Sequence, residues 1–169
     1  MSMQDFEKAK ELVTEALKKP GIISTFVGLK PVTLVYLAQD CLAVKFPETY
    51  RRFLLDYGAG GIGSFEIFGV IQENFGDHDY FHIDVVWLTL KDRREWNLPI
   101  FLVPVFNLGD GELFCLDLRN KEGDEAKVVG FTPDFNKAEQ NLDVVAEDFG
   151  KLFLDQIQFT LSIESRIED

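Results

Sequence analysis

Glycines at positions 58, 60 and 63 form the pattern G-x-G-x-x-G, which in dinucleotide-binding enzymes wraps a pyrophosphate. That chemistry requires a strand before the glycines and a helix after them, because the helix N-terminus supplies N–H donors and the positive end of its dipole. Here a helical pattern precedes Gly58 and a strand pattern follows Gly63. Gly58 would lie at a negative helix C-terminus, which repels phosphate. The sequence therefore predicts a tight chain reversal and no nucleotide cofactor.

The two histidines, His78 and His82, are four residues apart and could bind a metal ion from one face of a helix. Gly76 and the alternating Asp77 and Asp79 indicate a loop instead. We expect both histidines to be solvated, Asp79 to cap the helix that follows, and no metal to be bound.

The residues that could act as nucleophiles lie in unsuitable surroundings. Cys41 and Cys115 are predicted to be buried inside apolar elements, which raises a thiol pKa. Ser64 lacks the G-x-S-x-G elbow of a hydrolase. Glu112 and Asp117 are five residues apart, so on a strand they face opposite sides and cannot form a carboxylate pair. We therefore expect no enzymatic activity and no cofactor.

Composition and charge narrow the classes of partner. The chain of 169 residues is 46% hydrophobic, contains 16 Phe and carries a formal net charge of -12. This charge argues against nucleic acid or an anionic membrane and suits a basic protein partner, although acidity could also serve solubility alone. Two reduced cysteines, no basic leader and no long apolar run predict a cytoplasmic protein that does not enter a membrane.

Periodicity predicts an α+β fold in a single domain. Helices are expected over residues 4–19, 32–42 and 47–57. Leu17 is expected on the buried face of the helix over 4–19, and a strand is the alternative for residues 32–42. Pro47 is expected at the first position of the third helix and Gly58 at its C-terminal cap.

The second half of the chain predicts most of the sheet. A strand over 64–71 and a polar loop over 72–80 precede a helix whose buried stripe is Ile83, Val86, Trp87 and Leu90. Strands follow around a Gly-Asp-Gly turn and over 127–131, with Pro104 at an edge or bulge. A last helix is expected to bury Val145. The result is a mostly antiparallel sheet of about four to six strands packed with helices.

The block "FPETYRRFLLDYGAGGIGSFEIFGV" resembles the signature of the SUKH superfamily, which includes the yeast cell-wall assembly regulators and many bacterial immunity proteins. The similarity rests on a Pro followed by a Tyr-x-x-Phe-Leu helix, a Gly-rich turn and a strand that ends in Gly69. A looser similarity extends over residues 30–155, where Asp148-Phe149 matches an Asp-Phe pair that is typical of the family's last helix. The helix over 4–19 would be an addition to that core. The resemblance implies a SUKH-like domain over 1–169, a binding function and no shared catalytic residues.

The sequence therefore favours a cytoplasmic immunity protein, or antitoxin, that binds and neutralises a basic toxin domain such as a nuclease. An intracellular regulator or scaffold of the cell-wall assembly type is the alternative, and a small metal-dependent enzyme would depend on the histidines alone. The candidate partner-binding residues are four acidic loop positions and one aromatic residue, namely Asp77, Asp79, Asp110, Glu112 and Trp96. Trp96 could instead pack beneath the strand that follows Pro99.

Overall fold

The computed structural model describes residues 2–119, 123–133 and 142–167. These residues contain five α-helices and a sheet of four strands, so the predicted α+β class is confirmed. The helices are α1 Ser2–Ala16, α2 Val32–Leu42, α3 Glu48–Tyr57, α4 Val85–Glu95 and α5 Phe149–Ile167, with a short 3₁₀ turn at Phe81–Ile83. The strands are β1 Leu102–Asn107, β2 Leu113–Asp117, β3 Val128–Phe131 and β4 Val144–Ala146.

The sheet is an antiparallel meander in the order β1-β2-β3-β4. Pro104 lies on β1, at an edge of the sheet, and the register shifts between Pro104 and Phe106. Both features suit a residue without a backbone N–H, so the position predicted for Pro104 is confirmed.

Strand β4 replaces the start of the helix that was expected at the end of the chain. Val145 is 38% exposed and lies in β4, so its predicted helical burial is wrong. The helix begins later because Asp148 accepts a hydrogen bond from the Lys151 N–H through Oδ1 at 2.9 Å and thereby caps α5. The β-branched residues Val144 and Val145 precede this cap and lie in β4, which pairs with β3.

The segment over residues 64–71 is extended, but it is not the regular strand that was predicted. Gly60 and Ile67 exchange two backbone hydrogen bonds of 2.9 Å, and the Phe68 N–H donates to the Val105 carbonyl at 2.8 Å. Pairing is interrupted because Gly60 and Gly63 have φ values of +101° and +61°, outside the strand region. The glycines thus reverse the chain, as expected, but at the cost of a continuous ladder.

An aromatic cluster at the centre of the core explains the many phenylalanines. Phe53 of α3 contacts Phe149 and Phe153 of α5 with ring centroids 5.4 Å apart, and Phe6 of α1 contacts Phe153 at 5.7 Å. Such edge-to-face and tilted arrangements stabilise beyond the area that they bury. Helix α1 therefore packs into the same core as α3 and α5, but it ends at Ala16, and Leu17 is exposed, contrary to prediction.

Helix α3 begins with a cap that comes from a distant part of the chain. Pro47 is the N-cap residue rather than the first helical residue, and its side chain cannot accept a hydrogen bond. The Glu125 carboxylate accepts instead, from the Thr49 N–H and the Thr49 hydroxyl, each at 2.9 Å. At the other end Gly58, with φ of +72°, closes the helix as predicted.

Candidate functional site

The acidic loop over residues 72–84 is fixed to the protein by one buried carboxylate, that of Asp84. Its Oδ1 accepts the backbone N–H groups of Val86 and Trp87 at 3.0 Å, and so it caps α4. Its Oδ2 accepts the Gly76 N–H at 2.7 Å and lies 2.8 Å from Nε2 of His78. The carboxylate therefore joins the start of α4 to the loop that precedes it.

His78 is part of this anchor and is not solvated, so that expectation was wrong. Its side chain is only 5% exposed, and Nδ1 accepts the Tyr80 N–H at 3.1 Å. A neutral ring then carries its proton on Nε2 and donates it to Asp84. The predicted cap was also wrong, because Asp84 caps α4 while Asp79 is exposed.

His82 is exposed and its ring meets the edge of Phe81, so it does not join His78. Within residues 2–119, 123–133 and 142–167, no three His, Cys, Asp or Glu side chains converge as metal ligands would.

Trp87 lies beneath the acidic loop instead of in the core. It is half-buried, and a methyl group built on Gly76 would come within 2.0 Å of the indole ring. Phe81 meets the ring edge-to-face at 5.1 Å. The buried residues of α4 are Val85, Val86, Thr89 and Asp92. Of the predicted stripe, Ile83 and Val86 are buried as expected, whereas Trp87 is only half-buried and Leu90 is exposed, contrary to prediction.

A groove of 430 Å³ separates α4 from the turn between β1 and β2. Its lining is mainly apolar, and Asp92 and Trp96 of the α4 end lie in it together with Leu113 at the start of β2. The lining residues are Phe68, His82, Leu88, Lys91, Asp92, Trp96, Asn107, Gly111, Leu113, Thr132 and Pro133.

Asp92 is the unusual member of this lining because it is an acidic residue that is only 7% exposed. Burial raises the pKa of Asp92 above the usual range of an aspartate, an effect that Lys91 opposes and Glu95 reinforces. The Lys91 ammonium lies 3.9 Å from Asp92 and 3.3 Å from Glu95, so one cation is shared by two carboxylates.

Comparison with known families decides what this fold is. The model of the SMI1-KNR4 cell-wall family, SUKH_5, matches residues 10–158. The chain belongs to the SUKH family. Members of this family are generally non-enzymatic immunity or regulatory proteins that act through protein–protein interactions. In the described part of the chain, no helix is both long and apolar enough to cross a membrane.

The structure separates the five SUKH surface residues that the sequence singled out. Asp77 and Asp79 are exposed on the anchored loop, and Asp110 is exposed in the β1–β2 turn, where its Oδ1 accepts the Glu112 N–H at 3.0 Å. The Glu112 carboxylate lies over Gly130 of β3. Of the five, Trp96 alone lines the groove, and it is half-buried there.

Sequence reasoning missed Asp84 and Asp92 and misplaced one cysteine of this SUKH chain. Asp92 follows Val85 and Thr89 on the buried face of α4, and a charged residue in such a stripe is the signal that could have identified it. Cys41 is exposed, contrary to expectation, because it lies on the outer face of α2. Cys115 is buried, and burial raises the pKa of its thiol.

Proposed function

We propose that this SUKH protein is a cytoplasmic immunity protein that binds and neutralises a basic toxin domain. One observation carries the proposal: the exposed Asp77 and Asp79 stand on a loop that Asp84 holds through hydrogen bonds to both its backbone and His78. A loop already held in place loses little conformational entropy when a partner binds, so more of the interaction energy appears as affinity.

Charge supports a basic partner for this surface. The formal net charge is -12, and the exposed loops carry Asp77, Asp79 and Asp110. Toxins that act on nucleic acid need a positive surface to hold phosphate. An acidic immunity protein would approach such a surface faster and would match its charge. Inhibition then follows from occupying the toxin's positive surface, and this protein needs no catalytic residue of its own.

The domain itself is proposed to span residues 1–169. The buried Phe6, Ala9 and Val13 of α1 favour this extent, because they belong to the same hydrophobic core as α3 and α5. Helix α1 would then be an integral part of the binding protein.

Co-expression with the toxin domain encoded by a neighbouring gene tests the proposal. We expect the wild-type chain to restore growth and to form a stable complex on gel filtration. If no toxin gene lies nearby and no candidate toxin binds at micromolar concentration, the immunity proposal fails.

The kinetics of that complex test the role of the acidic loops. The double variant of Asp77→Asn and Asp110→Asn should slow association and weaken its dependence on salt, while dissociation changes little. Glu11→Gln, an exposed acidic residue on α1, is the matched control. A larger effect on dissociation than on association would show that these residues are not rim charges.

The alternative is an intracellular regulator or scaffold, and its support is the description of the matching family, which refers to the cell wall. In that case the same acidic surface would bind a housekeeping protein. Deletion of the gene would then change cell-wall assembly in cells that carry no cognate toxin, whereas an immunity protein would be dispensable there.

A further inference from the structure

An extended segment before α2, residues 23–27, pairs with the glycine turn along one of its two edges. The Thr25 N–H donates to the Gly61 carbonyl at 2.9 Å, and the Val27 N–H donates to the Ala59 carbonyl at 3.0 Å. Successive N–H groups of an extended chain point to opposite sides. The alternate residues therefore present their backbone groups on the other edge of the segment.

These alternate residues are Ser24 and Phe26, and the fold leaves their backbone groups free. Among the residues that the structure describes, none forms a hydrogen bond with the Ser24 N–H, the Ser24 carbonyl or the Phe26 carbonyl. The Phe26 N–H reaches only the Ser24 hydroxyl, at 3.4 Å, which is long for a hydrogen bond. Ser24 itself is exposed, so this edge can be reached from solvent.

The free edge lacks the features by which proteins protect an exposed strand. Natural edges carry charged residues, proline or a bulge, which prevent pairing with another chain. The stretch over residues 21–29, "GIISTFVGL", contains no charged residue and no proline, and Ile23 is 68% exposed. An edge of this kind suits β-augmentation, in which an extended segment of a partner adds a strand and main-chain hydrogen bonds supply the affinity.

Two carboxylates beside the edge indicate the charge of the strand that it would accept. A cleft of 670 Å³ lies along residues 24–27, and Glu66 forms part of its other wall. A methyl group built on Gly63, whose N–H donates to the Ile23 carbonyl, would come within 3.4 Å of the Glu164 carboxylate. Neither glutamate forms an ion pair with any residue in the described ranges. Basic side chains would complement them, whereas a second copy of this chain, also with a charge of -12, would be repelled.

We propose that residues 23–27 accept an extended segment of the basic partner as an added β-strand, with basic side chains of that segment near Glu66 and Glu164. The inference rests on the proposed function, since it assigns a mode of binding to the same partner. Tyr80 of the acidic loop lines the cleft beside this edge. The added strand and the acidic loop would therefore contact the partner on one continuous surface.

The peptide acetyl-Lys-Thr-Val-Thr-Val-Thr-Lys-amide is the probe, and amide hydrogen exchange followed by NMR is the measurement. Without peptide, the Ser24 and Phe26 amides should exchange faster than those of Thr25 and Val27, which are already hydrogen-bonded. At about 90% saturation with millimolar peptide, exchange at Ser24 and Phe26 should slow by about tenfold, because only the unbound tenth of the protein remains open. The Thr25 and Val27 amides should change little.

Two matched peptides separate the contributions of backbone and charge. The same peptide with every Thr and Val nitrogen methylated can donate a hydrogen bond on neither edge and should protect no amide. The peptide with Glu in place of both Lys residues should bind at least threefold more weakly at low salt.

Two variants at one position test the edge in the protein and in its complex with the toxin domain. Ser24→Pro removes an N–H that the fold does not use, so the Thr25 and Val27 amides should stay protected. It should weaken binding of the peptide and of the toxin domain by about tenfold, since a main-chain hydrogen bond is lost. Ser24→Ala keeps the N–H and should bind as wild type does.

Three results would overturn the added strand: no protection of Ser24 and Phe26 at millimolar peptide, equal toxin binding by the proline and alanine variants, or protection that rises with protein concentration alone. The last would mean that a second copy occupies the edge. The peptide experiment needs no toxin, so its failure leaves the immunity proposal to its own co-expression test. Failure of that test would in turn leave the peptide result in place.

Discussion

Replacing Asp84 with alanine removes every bond of the loop anchor at once. The carboxylate is fully buried and accepts from the N–H groups of Val86, Trp87 and Gly76 and from His78. Loss of the helix cap costs about 1 kcal/mol. The Gly76 and His78 donors left unpaired cost about 1–3 kcal/mol each. We therefore expect a loss of about 3–7 kcal/mol, which lowers the melting temperature by roughly 6–28 °C.

The isosteric variant Asp84→Asn separates the hydrogen bonds from the packing. Its oxygen can still cap α4, but its NH₂ group would face two other donors, the Gly76 N–H and His78 Nε2–H. The neutral ring cannot move that proton to Nδ1, because Nδ1 accepts the Tyr80 N–H. We expect a loss of about 2–3 kcal/mol. Asp79→Asn, which changes an exposed charge on the same loop, should stay within about 0.5 kcal/mol of wild type.

Urea unfolding followed by circular dichroism and by tryptophan fluorescence measures these changes. The two probes should coincide and the slopes should match wild type, so that a change of midpoint reports stability alone. If Asp84→Asn unfolds at the wild-type midpoint, or if Asp79→Asn costs as much as Asp84→Asn, the anchor does not hold the loop as argued.

Three further predictions use the same unfolding assay. Gly60→Ala should cost several kcal/mol more than Gly109→Ala. The φ values of the two glycines are similar, at +101° and +95°, but of the two only Gly60 would place the new methyl group against backbone, within 2.2 Å of a carbonyl oxygen. Equal costs would contradict this crowding. Tyr50→Phe should cost about 1–2 kcal/mol, since the buried hydroxyl donates at 2.7 Å to a backbone carbonyl; no loss would mean that the bond contributes nothing. Burial raises the pKa of Glu125 despite its hydrogen bonds from Thr49. The contribution of this carboxyl group to stability is therefore present below its unfolded pKa and lost as pH rises through the folded pKa. Glu125→Gln should remove that part of the pH dependence of stability, and an unchanged dependence on pH would refute the assignment.

Helix α3 was predictable because both of its ends are marked in the local sequence. Pro47 fixes an extended backbone at the start, and Gly58 supplies the positive φ at the end. The buried face between them, with Tyr50, Phe53 and Leu54, follows the helical period. Local chemistry and tertiary packing agree here, so the pattern alone was sufficient.

The strand predicted over 64–71 failed, and so did the start of the predicted last helix, where residues 144–146 form a strand instead; the two reasons are opposite. In the first, the alternation of apolar residues was present, but the glycines before it prevented a continuous ladder. In the second, Val144 and Val145 matched the helical period of α5, but pairing with β3 and the cap at Asp148 determined the boundary. Local backbone conformation decided the first segment, and tertiary contacts decided the second.

The groove could not be predicted because its two walls are distant in sequence. Asp92 and Trp96 come from α4, and Leu113 comes from the start of β2. No local pattern indicates that these elements meet. For the loop anchor the signal existed, since Asp84 directly precedes the apolar Val85, as a helix cap does.

The cap that Glu125 supplies to α3 has a consequence for the order of folding. Thr49 and Glu125 are 76 residues apart in the chain, so the helix end cannot close until the segment before β3 has come into place. At 10 residues, α3 is shorter than the helices that persist alone in water. The helix that its own sequence marks most clearly should therefore reach its final stability together with the sheet. Such long-range closure raises contact order and slows the folding reaction.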